Sequence, residues 1–151
     1  NFEPSEIGAS FGLVQLKKFK KFNTIRNKNF NLHLNFFNGY KDYFIIPKVE
    51  KNIKTNFLAY PIIIKKNKKF KRKKLQIFLE KNNIQTRTIF TGNILRQPIM
   101  KNKIFKKIKN AEEEANKVMK NGILIGCHQG LSSNDLDYMT RVFKKFLNNY
   151  L

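Results

Sequence analysis

Four short runs, DYFIIPKV, NFLAYPIIIKK, IQTRTIF and ILIGC, are dense in aromatic and β-branched residues within a chain otherwise patterned for helix. Such side chains suit a pleated, half-buried surface, and each run is long enough for only one strand. Stretches with helical spacing lie between and around them. The fold must therefore lay helices on one small sheet. Pro47 and Pro61 fall inside the first two runs, and a residue without an N–H belongs at a sheet edge or a bulge.

The helices can be placed by their ends. Pro4 suits the first turn of a helix, where its missing N–H costs nothing, and Glu6 adds negative charge at the same positive end. Ile7, Phe11 and Val14 recur at helical spacing, with Leu13 and Leu16 widening the stripe. Gly8, Ala9, Ser10 and Gly12 weaken intrinsic helicity, which predicts close packing of this segment against another element. A second helix is predicted from about Thr24 to Phe37, ending at the turn dipeptide Asn38-Gly39. KFKRKKLQIFLEKNN reads as a helix with Phe70, Leu75, Phe78 and Leu79 inward. Asn110 is placed to cap a helix through Val118 and Met119, with Glu112, Glu113 and Glu114 in its first turn and Gly122 ending it. Ser132 or Ser133 caps a last amphipathic helix whose Leu136, Met139, Val142, Phe143 and Phe146 face inward. The predicted order is helix, helix, then β-β-α-β-α-β-α, an α+β sandwich.

At 151 residues the chain can form one compact domain with a real core. Its formal net charge of +21 admits a nucleic-acid or anionic-surface partner. Against that, the lysines occupy nearly every segment, with a local cluster in KKNKKFKRKK. Only five cations are arginine (Arg26, Arg72, Arg87, Arg96 and Arg141), the residue suited to bidentate phosphate contacts. Phe, Ile, Asn and Lys are abundant together, as AT-rich coding produces, and many of the fifteen Phe sit at core spacing. A small basic nucleic-acid-binding domain is thus the second reading. No apolar run approaches the roughly 20 residues that span a bilayer, and no signal-peptide pattern is present. The lone Cys127 fits a reducing cytoplasm. The first residue is Asn rather than Met, so the chain reads as a piece of a longer protein.

Chemistry-bearing residues are few. His33 lies between Leu32 and Leu34 in a helix and reads as a surface or packing residue. His128, in GCHQG, falls at a strand-to-helix turn where sites often form, with Cys127 beside it facing the core. No metal-ligand spacing exists. In QTRTIFTGNILRQP, Arg87 and Arg96 flank a Thr-Gly-Asn turn closed by Pro98, but the glycines and lysine of a phosphate-binding P-loop are missing. The carboxylates sit mostly in helix first turns. Two turns, 91–98 and 128–131, are the ligand-facing candidates, and the residues alone supply no complete catalytic apparatus.

Three strings in order carry a resemblance. NFEPSEIGASFGLVQLKK resembles the end of the large domain in the DegT/DnrJ/EryC1/StrS family of sugar aminotransferases and dehydratases. That family's pattern is Gly-Tyr-Asn, variable residues, Ala-Ala, then Gly-Leu-x-Gln-Leu. Here Ala9-Ser10 stands for Ala-Ala, and Gly12 to Leu16 match the run. LEKNNIQTRTIFTGNILRQP is similar to the family's nucleotide-sugar 3-dehydratase branch, and NGILIGCHQGLSSNDLDYM resembles its closing strand and helix. The resemblance implies a C-terminal fragment of a fold-type-I enzyme dependent on pyridoxal 5'-phosphate (PLP). Residues 1–38 would be the helical end of the large domain and a connecting helix, and 39–151 the small α/β domain.

The same resemblance implies a cytoplasmic homodimer acting on nucleotide-linked 4-keto-6-deoxy sugars for O-antigen or other surface polysaccharide. It assigns Asn1 to the cofactor phosphate of the neighbouring subunit, and Arg87, Asn93 and Arg96 to the border of the sugar-nucleotide site. His128 lies in a turn like that of the dehydratase branch. No catalytic residue falls within this chain. The Schiff-base position lies upstream, where lysine makes an aminotransferase and histidine a 3-dehydratase. TGNILRQP leans to the dehydratase, and the fragment alone is expected to be inactive.

Overall fold

The computed structural model describes residues 3–66, 69–104 and 111–150. Helix α1 (Glu6–Asn38) leads into β1 (Phe44–Ile45), β2 (Ala59–Ile64), α2 (Arg72–Lys81) and β3 (Thr86–Arg87). Two 3-10 turns follow, Ile94–Arg96 and Pro98–Met100, then α3 (Ala111–Asn121), β4 (Gly122–Gly126) and α4 (Ser133–Leu147). The strands form one antiparallel sheet in the order β1-β2-β4-β3. The α+β class and the order of elements agree with the pattern read from the sequence, with one exception.

The two expected N-terminal helices are one continuous helix of 33 residues. The segment KKFKKFN that links them holds neither Pro nor Gly, so nothing interrupts the hydrogen-bond ladder. The predicted packing of its first stretch is also corrected. Ile7 is 83% exposed and Phe11 67%, and Leu13, Val14 and Leu16 are exposed too. A Cβ added at Gly8 or Gly12 would meet nothing within 4 Å. Among the described residues, no element covers this half of the helix. The second half behaves as expected: Asn29, Phe30, His33 and Phe37 are buried, and Gly39 caps the end with its N–H on the Phe36 and Phe37 carbonyls.

Alternation along β2 and β4 builds the core. Tyr60, Ile62 and Ile64 of β2 point with Ile123 and Ile125 of β4 into the layer of α1, α2 and α4. Phe37 is ringed there by Phe44, Tyr60 and Phe143, at centroid distances of 5.3, 5.5 and 5.1 Å. The α2 and α4 faces meet them as expected, with Leu75, Leu79, Leu136, Met139, Val142, Phe143 and Phe146 buried. The prolines mark where a ladder stops. The β1–β2 register pairs Phe44 with Ile64 and Ile45 with Ile63. Continued, it sets Pro47 opposite Pro61, and strand β1 ends before that pair. At Pro61 only β4 is a partner, through Leu124.

Helix ends follow the sequence closely. Ser132 caps α4 in a full capping box with Asp135. The three glutamates open α3 as expected, while its predicted cap, Asn110, lies outside the described residues. Arg72 donates to the Met119 carbonyl at 2.6 Å, placing a cation on the negative end of α3. Gly122 then turns straight into β4, where a Cβ would approach the Val118 carbonyl oxygen to 2.6 Å.

Candidate functional site

The turn from β4 into α4 is built around one imidazole. Glycines stand on both sides of His128: an added Cβ would lie 3.6 Å from its Cδ2 at Gly126 and 3.1 Å from its Nδ1 at Gly130. The Gly130 N–H donates to Nδ1 at 3.1 Å. In the neutral ring the proton therefore sits on Nε2, which is left as a donor. Below the turn, Cys127 points into the core, where burial pushes its thiol up to about 11 and Arg26 opposes the shift.

The backbone of this turn is held from α1. Residues 26, 29 and 33 share one face of the helix. Arg26 Nε donates to the Gln129 side-chain oxygen at 2.7 Å. Asn29 Nδ2 donates to the His128 carbonyl at 3.0 Å and lies 3.4 Å from that of Cys127. His33 Nε2 is 2.9 Å from the Gly126 carbonyl, an acceptor only, so this nitrogen carries the proton. Burial holds the His33 pKa below its ordinary 6.5, partly offset by that hydrogen bond. His33 is thus the packing residue expected, with an added grip on the turn.

Across the sheet edge, the β3–β4 register pairs Thr86 with Ile125 and Arg87 with Leu124. Neighbouring residues on a strand point to opposite faces. Thr86 is buried and bonded to Glu80 of α2, at 2.6 Å through its N–H and 2.9 Å through its hydroxyl. The Arg87 side chain consequently turns the other way, is exposed, and has no hydrogen-bond or ion-pair partner among the described residues. Arg87 and His128 line one cleft of about 370 Å³ with Ile84, Leu131 and Met139 on its apolar lining, within the size range of small-ligand sites. Tyr138 and Asp135 also border it, but both are engaged. Tyr138 donates to the Asn82 carbonyl at 3.0 Å. The Ser132 hydroxyl and N–H hold the Asp135 carboxyl below its usual range, with a smaller contribution from His128. Among the described residues the polar side chains left open to the cleft are then the Arg87 guanidinium and the His128 imidazole N–H, both donors, and the Asn83 and Gln85 amides at its edge, which donate and accept.

Asn93 and Arg96 lie elsewhere. Asn93 is buried, accepts from the Leu95 N–H at 2.9 Å and donates to Asn116 Oδ1 at 3.1 Å. Arg96, exposed, places Nε 3.2 Å from the same Asn116 oxygen. The turn before them is tight, because Gly92 has φ +69° and a Cβ there would approach Met119 Cα to 2.4 Å. Residues 91–98 are therefore fastened to α3, while Arg87 and His128 meet on the cleft. Asn1 lies outside the described residues. Asn116, Arg26 and Asn29 escaped the sequence reading. Polar residues inside helices carry no local signal of what they reach across the fold.

Among the described residues, positive charge is spread over several elements. Exposed lysines lie on α1, on the 41–54 loop, on α2, and on α3 and α4. No helix among the described residues is long and apolar enough to cross a membrane. Sheet, covering helices and edge cleft together define an α+β domain with a cleft at one sheet edge.

The chain belongs to the DegT/DnrJ/EryC1/StrS aminotransferase family, whose sequence profile matches residues 1–144. It is similar to the lipopolysaccharide biosynthesis protein RfbH of Salmonella typhimurium (strain LT2), at 26% identity over 97% of this chain and 33% of that protein. It is 32% identical to the dTDP-4-amino-4,6-dideoxy-D-glucose transaminase of Escherichia coli, over 79% of this chain and 33% of the relative. Among solved structures, it matches the E. coli GDP-4-keto-6-deoxy-D-mannose-3-dehydratase with bound hydrated PLP. That match has a TM-score of 0.78 and 29% identity, over 94% of this chain and 36% of the other. The chain thus spans about a third of the length of these relatives.

Proposed function

We propose that this chain supplies the substrate side of a PLP-dependent enzyme acting on nucleotide-linked 4-keto-6-deoxy sugars, a 3-dehydratase in preference to an aminotransferase, in lipopolysaccharide or other surface-polysaccharide synthesis. The carrying observation is the meeting of Arg87 and His128 on one cleft. A guanidinium and an imidazole N–H beside an apolar lining suit a ligand with a diphosphate and a sugar ring. The GDP-sugar dehydratase and the dTDP-sugar transaminase among the relatives support this reading, and RfbH supports the polysaccharide setting. The described residues do not themselves fit a PLP cup. The cleft offers donors, while its one carboxylate, Asp135, is committed to Ser132. The cofactor's chemistry therefore belongs to the rest of the protein, with Asn1 as this chain's proposed contact to its phosphate.

In this reading residues 1–38 join the large domain to the small domain at 39–151, and the enzyme is a cytoplasmic homodimer. The uncovered apolar half of α1 supports an assembly in which another part of the protein or a partner copy lies against it. Asn93 is held on α3 through Asn116, away from the cleft, and the exposed Arg96 is the one of the pair able to reach a substrate that extends beyond it. The test uses the full-length gene product with PLP, glutamate and GDP-4-keto-6-deoxymannose, following loss of the 3-hydroxyl by mass spectrometry. Turnover is expected to fall at least tenfold in Arg87→Ala. Neither deoxygenation nor amino transfer, joined to tight and strongly salt-dependent RNA binding, would overturn the proposal in favour of a nucleic-acid-binding domain.

A further inference from the structure

The face of α1 formed by Arg26, Asn29 and His33 is unlike an ordinary core-facing stripe. Two of its side chains, Asn29 and His33, are polar yet only 3% exposed. Each spends its donor on a carbonyl of the turn rather than on its own helix. The partners run in order along the chain: Gly126 for His33, Cys127 and His128 for Asn29, Gln129 for Arg26. The helix thus grips four consecutive residues in antiparallel sequence. The third of them carries the imidazole that lines the cleft. Burying polar groups costs more than burying apolar ones unless every donor is matched. An apolar stripe would secure the helix equally well, but it would leave the 126–128 carbonyls without these partners.

We infer that Arg26, Asn29 and His33 are positioning residues for His128. Asn29 and His33 fix the carbonyls of residues 126–128 and Arg26 holds the Gln129 side chain, and together they set the turn from which Gly130 orients the ring, and with it the direction of the Nε2 donor. The assignment of His128 to a nucleotide sugar rests on the proposed function; the positioning itself does not. None of the three touches the cleft, so their effect on any ligand passes through the turn.

The test separates the two. In the full-length gene product, the rate of His128 carbethoxylation by diethyl pyrocarbonate is followed by peptide mass spectrometry, alongside amide exchange in α2. Asn29→Leu and His33→Leu remove the donors and are expected to change the His128 rate by roughly threefold or more. His33→Gln, which keeps an N–H donor, is expected to stay near the parent rate. Exchange in α2 should be unchanged throughout. A constant His128 rate in both leucine variants, or one that moves only together with faster exchange across α2, overturns the inference. If Asn29→Leu does not fold, Arg26→Gln at its half-buried position gives the same readout.

GDP affinity measured calorimetrically supplies the second arm. Asn29→Leu is expected to weaken it severalfold, as are Arg87→Ala and His128→Ala. If the two cleft variants bind GDP like the parent while His128 reactivity still answers to Asn29, positioning stands and the nucleotide-sugar reading fails. If the cleft variants lose GDP while Asn29→Leu alters neither reactivity nor affinity, the reverse holds.

Discussion

Tyr60 is fully buried among Phe30, Phe37 and His33, and its hydroxyl has no hydrogen-bond partner among the described residues. Burial alone pushes the phenol's pKa upward. A buried hydroxyl without a partner carries its desolvation cost uncompensated. Tyr60→Phe is therefore expected to stabilise the fold by about 1 kcal/mol, read as a higher Tm. His33 gives the opposite kind of test. Its folded pKa lies below 6.5, so the unfolded chain takes up the proton first as pH falls. The stability tied to its neutral ring is complete above about 6.5 and declines as pH drops from there toward the folded pKa. The groups facing it are the Gly126 carbonyl and the Tyr60 ring, neither of which ionises in that range. The Tm difference between the parent and His33→Gln should shrink as pH falls from neutral toward 5, and a constant difference would refute the assignment. At this scale the sequence was legible where local chemistry speaks. His128 between two glycines at a strand end marked its own turn. Asn93 did not, because nothing in TGNILRQP shows that its amide is consumed by Leu95 and by Asn116, 23 residues further on in α3.

Among the elements, α4 was the most legible, because its cap, its apolar spacing and its burial all agree. Ser132 accepts from the Asp135 N–H, and the Asp135 carboxylate accepts from the Ser132 N–H and hydroxyl. Ser132→Ala should cost about 1 kcal/mol, measured by denaturant unfolding, while Ser133→Ala should cost much less. The strands were recognised in kind and overestimated in length. DYFIIPKV and IQTRTIF each yield two paired residues. Pro47 ends the first ladder, and the Thr91-Gly92-Asn93 turn draws the second away toward α3. Strand propensity reports a side chain's fitness for a sheet, not the presence of a partner to pair with. The join of the first two helices was missed for a related reason. The two stretches were read as separate helices, one from Pro4 and one from about Thr24, whereas continuity is decided by what lies between them.

For the whole molecule, the discordant feature is the apolar surface on the first half of α1. Ile7, Phe11 and Val14 follow a helical repeat, and neither they nor Leu13 and Leu16 beside them are covered by another element among the described residues. Spacing in sequence fixes which face is apolar, and only the rest of an assembly fixes what covers it. Phe11→Gln with Leu16→Gln should leave this domain's unfolding free energy within about 0.5 kcal/mol of the parent, and its Tm correspondingly little changed. The pair should at the same time reduce the assembly mass of the full-length protein in light scattering. A large drop in Tm would show that the face is already packed inside the domain.

The unbroken α1 has a mechanical consequence. A straight helix of 33 residues measures about 50 Å, and roughly half of it projects past the sheet. One end is free to be held by whatever lies against Phe11 and Leu16. The other, through Arg26, Asn29 and His33, is fastened to the rim of the cleft. With no Pro or Gly hinge between Lys17 and Asn23, the rod acts as a lever. A tilt of about 5° about the gripped end goes with a shift of about 2 Å at Phe11 and Leu16, so whatever seats that half also sets the angle at which Arg26, Asn29 and His33 meet the 126–129 turn.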